Sequence, residues 1–338
     1  MRFEFILPDR IIFGEGAAAE VGREARRLGG SLALLVTTPG AEGRGTAALV
    51  ARHLEVAGLG CRTFSGVEPE PPVEDVARCC EAARGHGCDI MVGLGGGSVL
   101  DVAKKAAAEL GLRRIMLPTT SGSGSEVTHE SVLKVEGKKR AFVDESLTPD
   151  VAIVDPELSR TMPPALVAFS GADAIAHAVE CHGSRRSNPV VRALAWQAYE
   201  MMRQSLEAAI GGDMAARARM ALGSLMAGMA FANSGTTLGH ALSYPLSNRR
   251  VPHGRAVAMA LPYVLEFNGA DPAFAAPLKR VLQLAGAVWE PDWDIAAMTD
   301  EVMTDTRHLA NNPRDVTPAD VRRILEQMAA DFAPGRSS

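Results

Sequence analysis

Through the first half of the chain, short unbroken apolar runs alternate with longer stretches whose apolar residues recur every three to four positions. The runs Ser31–Thr37, Cys61–Phe64, Asp89–Leu94, Arg114–Leu117 and Val151–Val154 read as strands. The longest are apolar almost throughout, as strands covered on both faces are. Between them, Ala17–Leu28, Gly43–Ala57, Val73–Gly85 and a stretch beginning near Val99 read as helices. Regular alternation of strand and helix predicts an α/β domain with a parallel sheet. The opening segment, Arg2–Ile12, alternates like a strand or hairpin arm and is interrupted by Pro8-Asp9, a turn signal.

After Met162-Pro163-Pro164 the strand-like runs stop. Ala-, Met- and Leu-rich stretches take over at Pro164–Val179, Pro189–Ala209, Ala215–Asn233, Pro252–Asn268, Ala273–Ala287 and Thr317–Ala330, which predicts an all-helical domain. Met201, Met202, Met214, Met220, Met226 and Met229 are expected to fill its core. A chain of 338 residues exceeds what one core usually serves. The expected division is therefore 1–160 and 161–338, with a frayed tail at Pro334–Ser338.

Composition narrows the partners. The chain is 47% hydrophobic and 22% charged, with a formal net charge of -5. No basic patch interleaved with aromatics is present, so nucleic acid is not an expected partner. No apolar run reaches the length of a membrane span, and the opening segment lacks the apolar centre of a signal peptide. The five cysteines form no C-x-x-C pair, which argues against a disulfide framework and makes a reducing cytoplasm the simplest location. Cys181 reads as a buried small residue rather than a ligand.

The candidate chemistry centres on Gly171–His182. Asp173 and His177 are four residues apart and share one helix face. They could hold two positions on one divalent metal, or form an ordinary salt-bridged pair. His240 and His253 favour the metal, because three imidazoles and a carboxylate make a plausible full ligand set. Upstream, the apolar run Asp89–Leu94 leads into Gly95-Gly96-Gly97-Ser98 and a helix start. Such a turn can bring backbone N–H groups close to a phosphate, or can simply need positive φ. The run Arg114–Leu117 leads into a second polar turn, Pro118–Glu126. Two such turns on neighbouring strands suit a dinucleotide cleft. Lys134–Arg140 could close over phosphate or ribose, or be a hairpin with solvated lysines.

This ordered set resembles the iron-containing (group III) alcohol dehydrogenase family, which shares its fold with glycerol dehydrogenase and dehydroquinate synthase. The matching stretches are Ile12-Phe13-Gly14, Gly95–Ser98 with Asp101 and Lys104, Pro118–Thr128, Pro149–Pro156, Asp173–Glu180, Gly239–Pro245, Pro252-His253-Gly254 and Asn312-Pro313-Arg314. The resemblance implies a Rossmann-like nucleotide-binding domain followed by an all-helical metal-binding domain. It implies pyrophosphate on Gly95, Gly96, Gly97 and Ser98, with Asp101 behind the turn. Thr119, Thr120 and Ser123 would lie around ribose and nicotinamide, and Lys139 on ribose. The implied metal ligands are Asp173, His177, His240 and His253, with Fe(II) ahead of Zn(II). A homodimer and a small aldehyde or alcohol substrate are also implied.

Two positions depart from the family pattern. Tyr244 stands where many members have a histidine that handles protons; with His253 it is a candidate for the chemistry, either as proton donor or as pocket wall. Thr38 stands where NAD-specific members have an acid, so NADP(H) is expected ahead of NAD(H). Arg249 and Arg250 could hold an anionic substrate group or belong to a solvated loop, and the HALSYPL segment resembles the branch that contains phosphonoacetaldehyde reductases. The expected reaction is hydride transfer to a small, anionic aldehyde. A dehydroquinate synthase-like lyase or cyclase is the alternative, and a non-catalytic nucleotide-binding protein the third reading.

Overall fold

A computed structural model describes residues 2–285 and 289–333. Its first half contains β1 (Arg10–Phe13), α1 (Val21–Arg27), β2 (Leu32–Val36), α2 (Pro39–Gly43), α3 (Thr46–Val56), β3 (Gly60–Phe64) and α4 (Glu74–His86). It continues with β4 (Ile90–Gly95), α5 (Gly97–Leu110), β5 (Arg113–Pro118), β6 (Glu130–Val135), β7 (Lys138–Val143) and β8 (Val151–Val154). Six strands form one parallel sheet in the order β1-β8-β5-β4-β2-β3. β4 and β8 are buried along their whole length, which is why their sequences carry no polar alternation. β6 and β7 form a separate antiparallel hairpin.

The second half is helical: α6 (Pro164–Gly183), α7 (Pro189–Arg203), α8 (Leu206–Ile210), α9 (Met214–Ala232), α10 (Leu238–Asn248) and α11 (His253–Asn268). α12 (Lys279–Ala285), α13 (Ile295–Met303), α14 (Thr306–Asn311) and α15 (Pro318–Asp331) complete it. α6 is the central helix, packed on α7, α9 and α11. Its inward positions are largely alanine (Ala168, Ala172, Ala176), so neighbouring backbones approach closely. Among the six methionines expected in the core, Met202 and Met220 are fully packed there; the other four are only partly buried. No described helix is long and apolar enough to cross a membrane.

Several boundaries differ from the sequence reading. Only Arg10–Phe13 of the opening segment is a strand. Pro8 has no N–H to give a ladder, and the chain before it is tied instead to the end of α9. There Ile6 N donates to Asn233 Oδ1 (2.6 Å) and Asn233 Nδ2 donates to Ile6 O (3.0 Å). The expected helix Gly43–Ala57 divides into α2 and α3, and Pro189–Ala209 into α7 and α8. Within Ala273–Ala287, a 3-10 stretch Pro272–Leu278 precedes α12, and residues 286 and 287 lie outside the described residues, as does the tail Pro334–Ser338. α10, α13 and α14 were not legible: α10 carries Pro245 inside it, and α13 and α14 are short.

The two halves are clipped together by one buried side chain. Arg217 on α9 donates to four carbonyls: Ala209 (3.2 Å), Ser159 (2.9 Å), Arg160 (2.8 Å) and Met162 (3.2 Å). Three of these lie on the connection between β8 and α6. Arg217→Met is expected to lower stability by about 3 kcal/mol, because buried carbonyls lose a charged donor. Chemical denaturation of the two proteins measures this; an unchanged midpoint would contradict it.

Candidate active site

Asp173 and His177 lie one turn apart on α6, His240 in the first turn of α10, and His253 at the start of α11. Their atoms converge. Asp173 Oδ1 is 3.8 Å from His177 Nε2, 3.6 Å from His240 Nε2 and 3.5 Å from His253 Nε2. Each imidazole is oriented through its other nitrogen. His177 Nδ1 donates to Gly122 O (3.2 Å). His240 Nδ1 donates to Glu180 Oε2. His253 Nδ1 meets Ser243 Oγ (3.3 Å), whose hydroxyl hydrogen is already given to His240 O (2.7 Å). All three rings therefore turn Nε2 toward the same carboxylate oxygen.

That centre fits a divalent cation. Asp173 Oδ1 and His240 Nε2 are buried and have no hydrogen-bond partner, an expensive state for polar atoms with no further use. Ligand atoms of Asp173, His240 and His253 all lie within 4.8 Å of one another. Burial favours a neutral Asp173, yet the facing imidazoles hold its carboxyl well below the usual range. Burial pushes His177 and His253 below the ordinary histidine range, despite Asp173. His240 differs: burial also opposes its charge, but Glu180 and Asp173 together push it up to about 10.

Glu180 closes the Asp173–Glu180 stretch of α6. It is buried three residues after His177, and its Oε1 accepts from Thr237 N (3.1 Å), Thr237 Oγ1 (2.6 Å) and Gly239 N (2.8 Å). A Cβ at Gly239 would stand 2.9 Å from Glu180 Oε1, so only glycine admits this contact. The acid locks α10 to α6 and fixes the ring of His240. Glu180→Gln is expected to weaken divalent-ion affinity about 10–100-fold, as loss of such supporting carboxylates does. A metal-buffered titration reads this, and unaltered affinity would remove Glu180 from the site.

The two polar turns meet as expected. β4 pairs with β5 with Gly95 opposite Pro118, so both turns leave the same sheet edge. None of Gly95, Gly96 and Gly97 has positive φ, which removes the tight-turn alternative. Close approach is what demands glycine: a Cβ on Gly97 would lie 2.9 Å from Ser123, and one on Gly96 3.3 Å from Thr120. Gly96 caps α5 without a side-chain hydrogen bond, leaving the helix N-terminus open to a phosphate.

A cavity of about 710 Å³ is lined by Gly97, Ser98, Ser123 and Lys139 as well as by Asp173, His177, His240 and His253. The hairpin β6–β7 supplies Lys139, whose Nζ pairs with Glu70 (2.8 Å), as does Lys134 (2.6 Å). This basic stretch is a hairpin, and two of its lysines, Lys134 and Lys139, line the cavity. Thr119 and Thr120 sit beside the glycine turn but line a separate small pocket. Thr38 follows β2 and caps α2, accepting from Ala41 N (3.3 Å).

Asp101 and Arg249 are both engaged by protein partners. Asp101 lines the cavity, but its oxygens are taken by Ser125 Oγ (2.6 Å), Val132 N (3.0 Å) and Lys104 Nζ (3.3 Å). It braces the second turn and the hairpin, with Oδ2 holding one bond, from Val132 N, at the cavity wall. Arg249 does not line the cavity; its Nη1 is spent on Pro245 O (2.8 Å) and Glu301 Oε2 (3.1 Å). Arg250 does line it.

Tyr244 packs its ring between His253 (6.1 Å) and His308 (5.7 Å), and burial raises its phenol well above the usual range. His308, on α14, has no metal-ligand spacing to the other histidines in the sequence. It lines the cavity, its ring lies 6.1 Å from that of His240, and Nδ1 is 2.5 Å from Asp305 Oδ2. The i,i+3 pair Asp305/His308 was the available signal. Glu130 on β6 and Arg307 on α14 form a bidentate pair across the cleft, which no local pattern announces.

Residues 8–156 match the family described as iron-containing alcohol dehydrogenase, and residues 167–292 match the C-terminal region of the Fe-containing alcohol dehydrogenase family. Long-chain-alcohol dehydrogenase 1 of Geobacillus thermodenitrificans (strain NG80-2) is 33% identical, over 94% of this chain and 96% of its own. The sulfoacetaldehyde reductase of Bilophila wadsworthia (strain 3_1_6) is 32% identical, over 79% of this chain and 75% of its own. A solved 1,3-propanediol oxidoreductase superposes with a TM-score of 0.90 at 30% identity, covering 97% of this chain and 100% of that one.

Proposed function

The chain belongs to the iron-containing alcohol dehydrogenase family and is an NAD(P)-dependent oxidoreductase, and from that premise we propose that it reduces a small anionic aldehyde. The favoured substrate is phosphonoacetaldehyde, giving 2-hydroxyethylphosphonate. The observation that carries the reading is the convergence of three imidazole Nε2 atoms on one buried carboxylate oxygen, in the cavity shared with the glycine turn.

Asp173, His177, His240 and His253 would hold the cation. Their three nitrogens and one oxygen suit Fe(II) or Zn(II), and the family favours iron. When bound, the cation polarises the aldehyde carbonyl and NAD(P)H supplies the hydride. The chain's own work is placement. Backbone N–H groups at Gly95, Gly96, Gly97 and Ser98 bind pyrophosphate. Ser123 and Lys139, which line the cavity, would lie around nicotinamide and ribose, with Thr119 and Thr120 supporting the glycine turn from their own small pocket. Tyr244 and His253 border the reacting carbonyl. A high phenol pKa keeps Tyr244 protonated, which suits a hydrogen-bonding wall better than a ready acid. The likeness to a sulfoacetaldehyde reductase supports an anionic aldehyde.

Uncharged Thr38 supports NADP(H) over NAD(H), since no carboxylate repels a 2′-phosphate there. Thr38→Asp keeps a good helix cap and adds that repulsion. The ratio of kcat/KM for NADPH over NADH is expected to fall at least about tenfold. A constant ratio would show that position 38 does not meet the adenosine ribose.

The proposal is tested by anaerobic NADPH oxidation with Fe(II)-loaded and Zn(II)-loaded protein over phosphonoacetaldehyde, sulfoacetaldehyde and butanal. Preferential turnover of the anionic aldehydes is expected. Equal turnover of butanal would retain the dehydrogenase and discard the anionic substrate. Absence of turnover of every aldehyde, with NADPH and on repetition with NADH, would overturn the anionic-aldehyde reading.

A further inference from the structure

We infer that Arg250 is the specificity residue of this site: it holds the phosphonate, sulfonate or carboxylate head of the aldehyde while the carbonyl lies at the histidine cluster. The inference rests on the aldehyde-reductase reading above and adds the residue that selects the substrate.

The argument begins with the backbone. α10 closes with a pair of hydrogen bonds: Arg250 N donates to Ser247 O (2.9 Å) and Val251 N donates to Leu246 O (3.2 Å). This closure puts Arg250 in the left-handed region, at φ +69°. Helices α1, α3, α4, α5, α8 and α11 end with the same bond pair, and each has glycine at the left-handed position: Gly29, Gly58, Gly87, Gly111, Gly212 and Gly269. Among the described residues, α10 alone closes this way on a residue with a side chain. An arginine there is strained by its Cβ, and glycine would relieve the strain. Strain of this kind persists where the side chain has a use.

The surroundings say what that use is. Arg250 lines the cavity three residues before His253, and among the described residues its guanidinium has no hydrogen-bond or ion-pair partner. The other cations of that cavity are engaged: Lys134 and Lys139 on Glu70. The cavity's carboxylates are engaged too: Glu130 with Arg307, and Asp101 with Lys104. Arg249, next in sequence, is held by Glu301 outside the cavity. Ser247, on the same wall, has a buried Oγ with no partner. An unpaired guanidinium on the exposed side of a cavity that also holds an unpaired hydroxyl suits a group with several anionic oxygens, which arginine binds in two-point fashion.

The test is Arg250→Gly, which installs the residue of the other helix ends. Wild type and variant are compared by kcat/KM for phosphonoacetaldehyde and butanal, KM for NADPH, melting temperature, and calorimetric binding of 2-hydroxyethylphosphonate. The ratio of kcat/KM for phosphonoacetaldehyde over butanal should fall about 10–100-fold, the size of a lost charge-assisted contact. Affinity for 2-hydroxyethylphosphonate should fall similarly, and the melting temperature should hold or rise. A ratio changed less than about twofold, or a raised KM for NADPH with no change in the ratio, overturns the inference. If wild type reduces only butanal, the inference fails while the dehydrogenase stands. If wild type reduces nothing, the reaction reading fails, and binding of 2-hydroxyethylphosphonate by the two proteins still decides the role of Arg250.

Discussion

Asp173→Asn is expected to abolish stoichiometric binding of the divalent ion and to lower turnover by roughly a thousandfold or more. The amide has nearly the volume of the carboxylate, so packing on α6 is preserved. Charge is what disappears. Asp173 Oδ1 is the single atom that all three Nε2 atoms face, at 3.5–3.8 Å. With an amide there, three imidazoles must hold a dication with no anion among them, in a buried site where charge is expensive to leave uncompensated. Metal content after dialysis and NADPH oxidation with the best aldehyde are the two measurements. A variant that keeps one ion per chain and near-normal turnover would mean that Asp173 is not a ligand. His177→Ala should fall between wild type and Asp173→Asn, because two imidazoles and the carboxylate remain.

Gly254→Ala should damage the same centre from the other side, through packing alone. A Cβ at Gly254 would lie 1.9 Å from the carbonyl oxygen of Phe169. That atom belongs to the backbone of α6 and cannot swing away. The start of α11 must therefore retreat from α6, and it carries His253 with it. The expected cost is about 3 kcal/mol of stability, together with loss of ion affinity at a residue that touches no ion. Gly183→Ala is the control: a Cβ at the end of α6 meets nothing within 4 Å, and stability should change by less than about 1 kcal/mol. Equal melting temperatures and ion content for Gly254→Ala and wild type would show that α11 can shift without consequence.

What the sequence determined by itself is local. Strands β2, β4, β5 and β8 stand out as short apolar runs because both faces of the sheet are covered. Asp173 and His177 declare a shared face by their spacing, and the glycine turn announces itself between β4 and α5. Residue type put His240 and His253 forward as further ligands, and the family likeness joined them to that pair, which spacing could not do.

The tertiary structure decided the rest. It gave Glu180 its partner sixty positions away, and His177 its orienting carbonyl on Gly122, fifty-five positions away. It took Arg249 out of the cavity by tying it to Pro245 and Glu301, and it tied Asp101 to the second turn and the hairpin. It showed that Arg250 holds a backbone shape other helix ends reserve for glycine. Periodicity and spacing record what a residue's own helix or strand needs. Which atoms are left unpaired at the centre of a cavity depends on how close distant backbones come, and here contacts such as Gly254 against Phe169 set that distance.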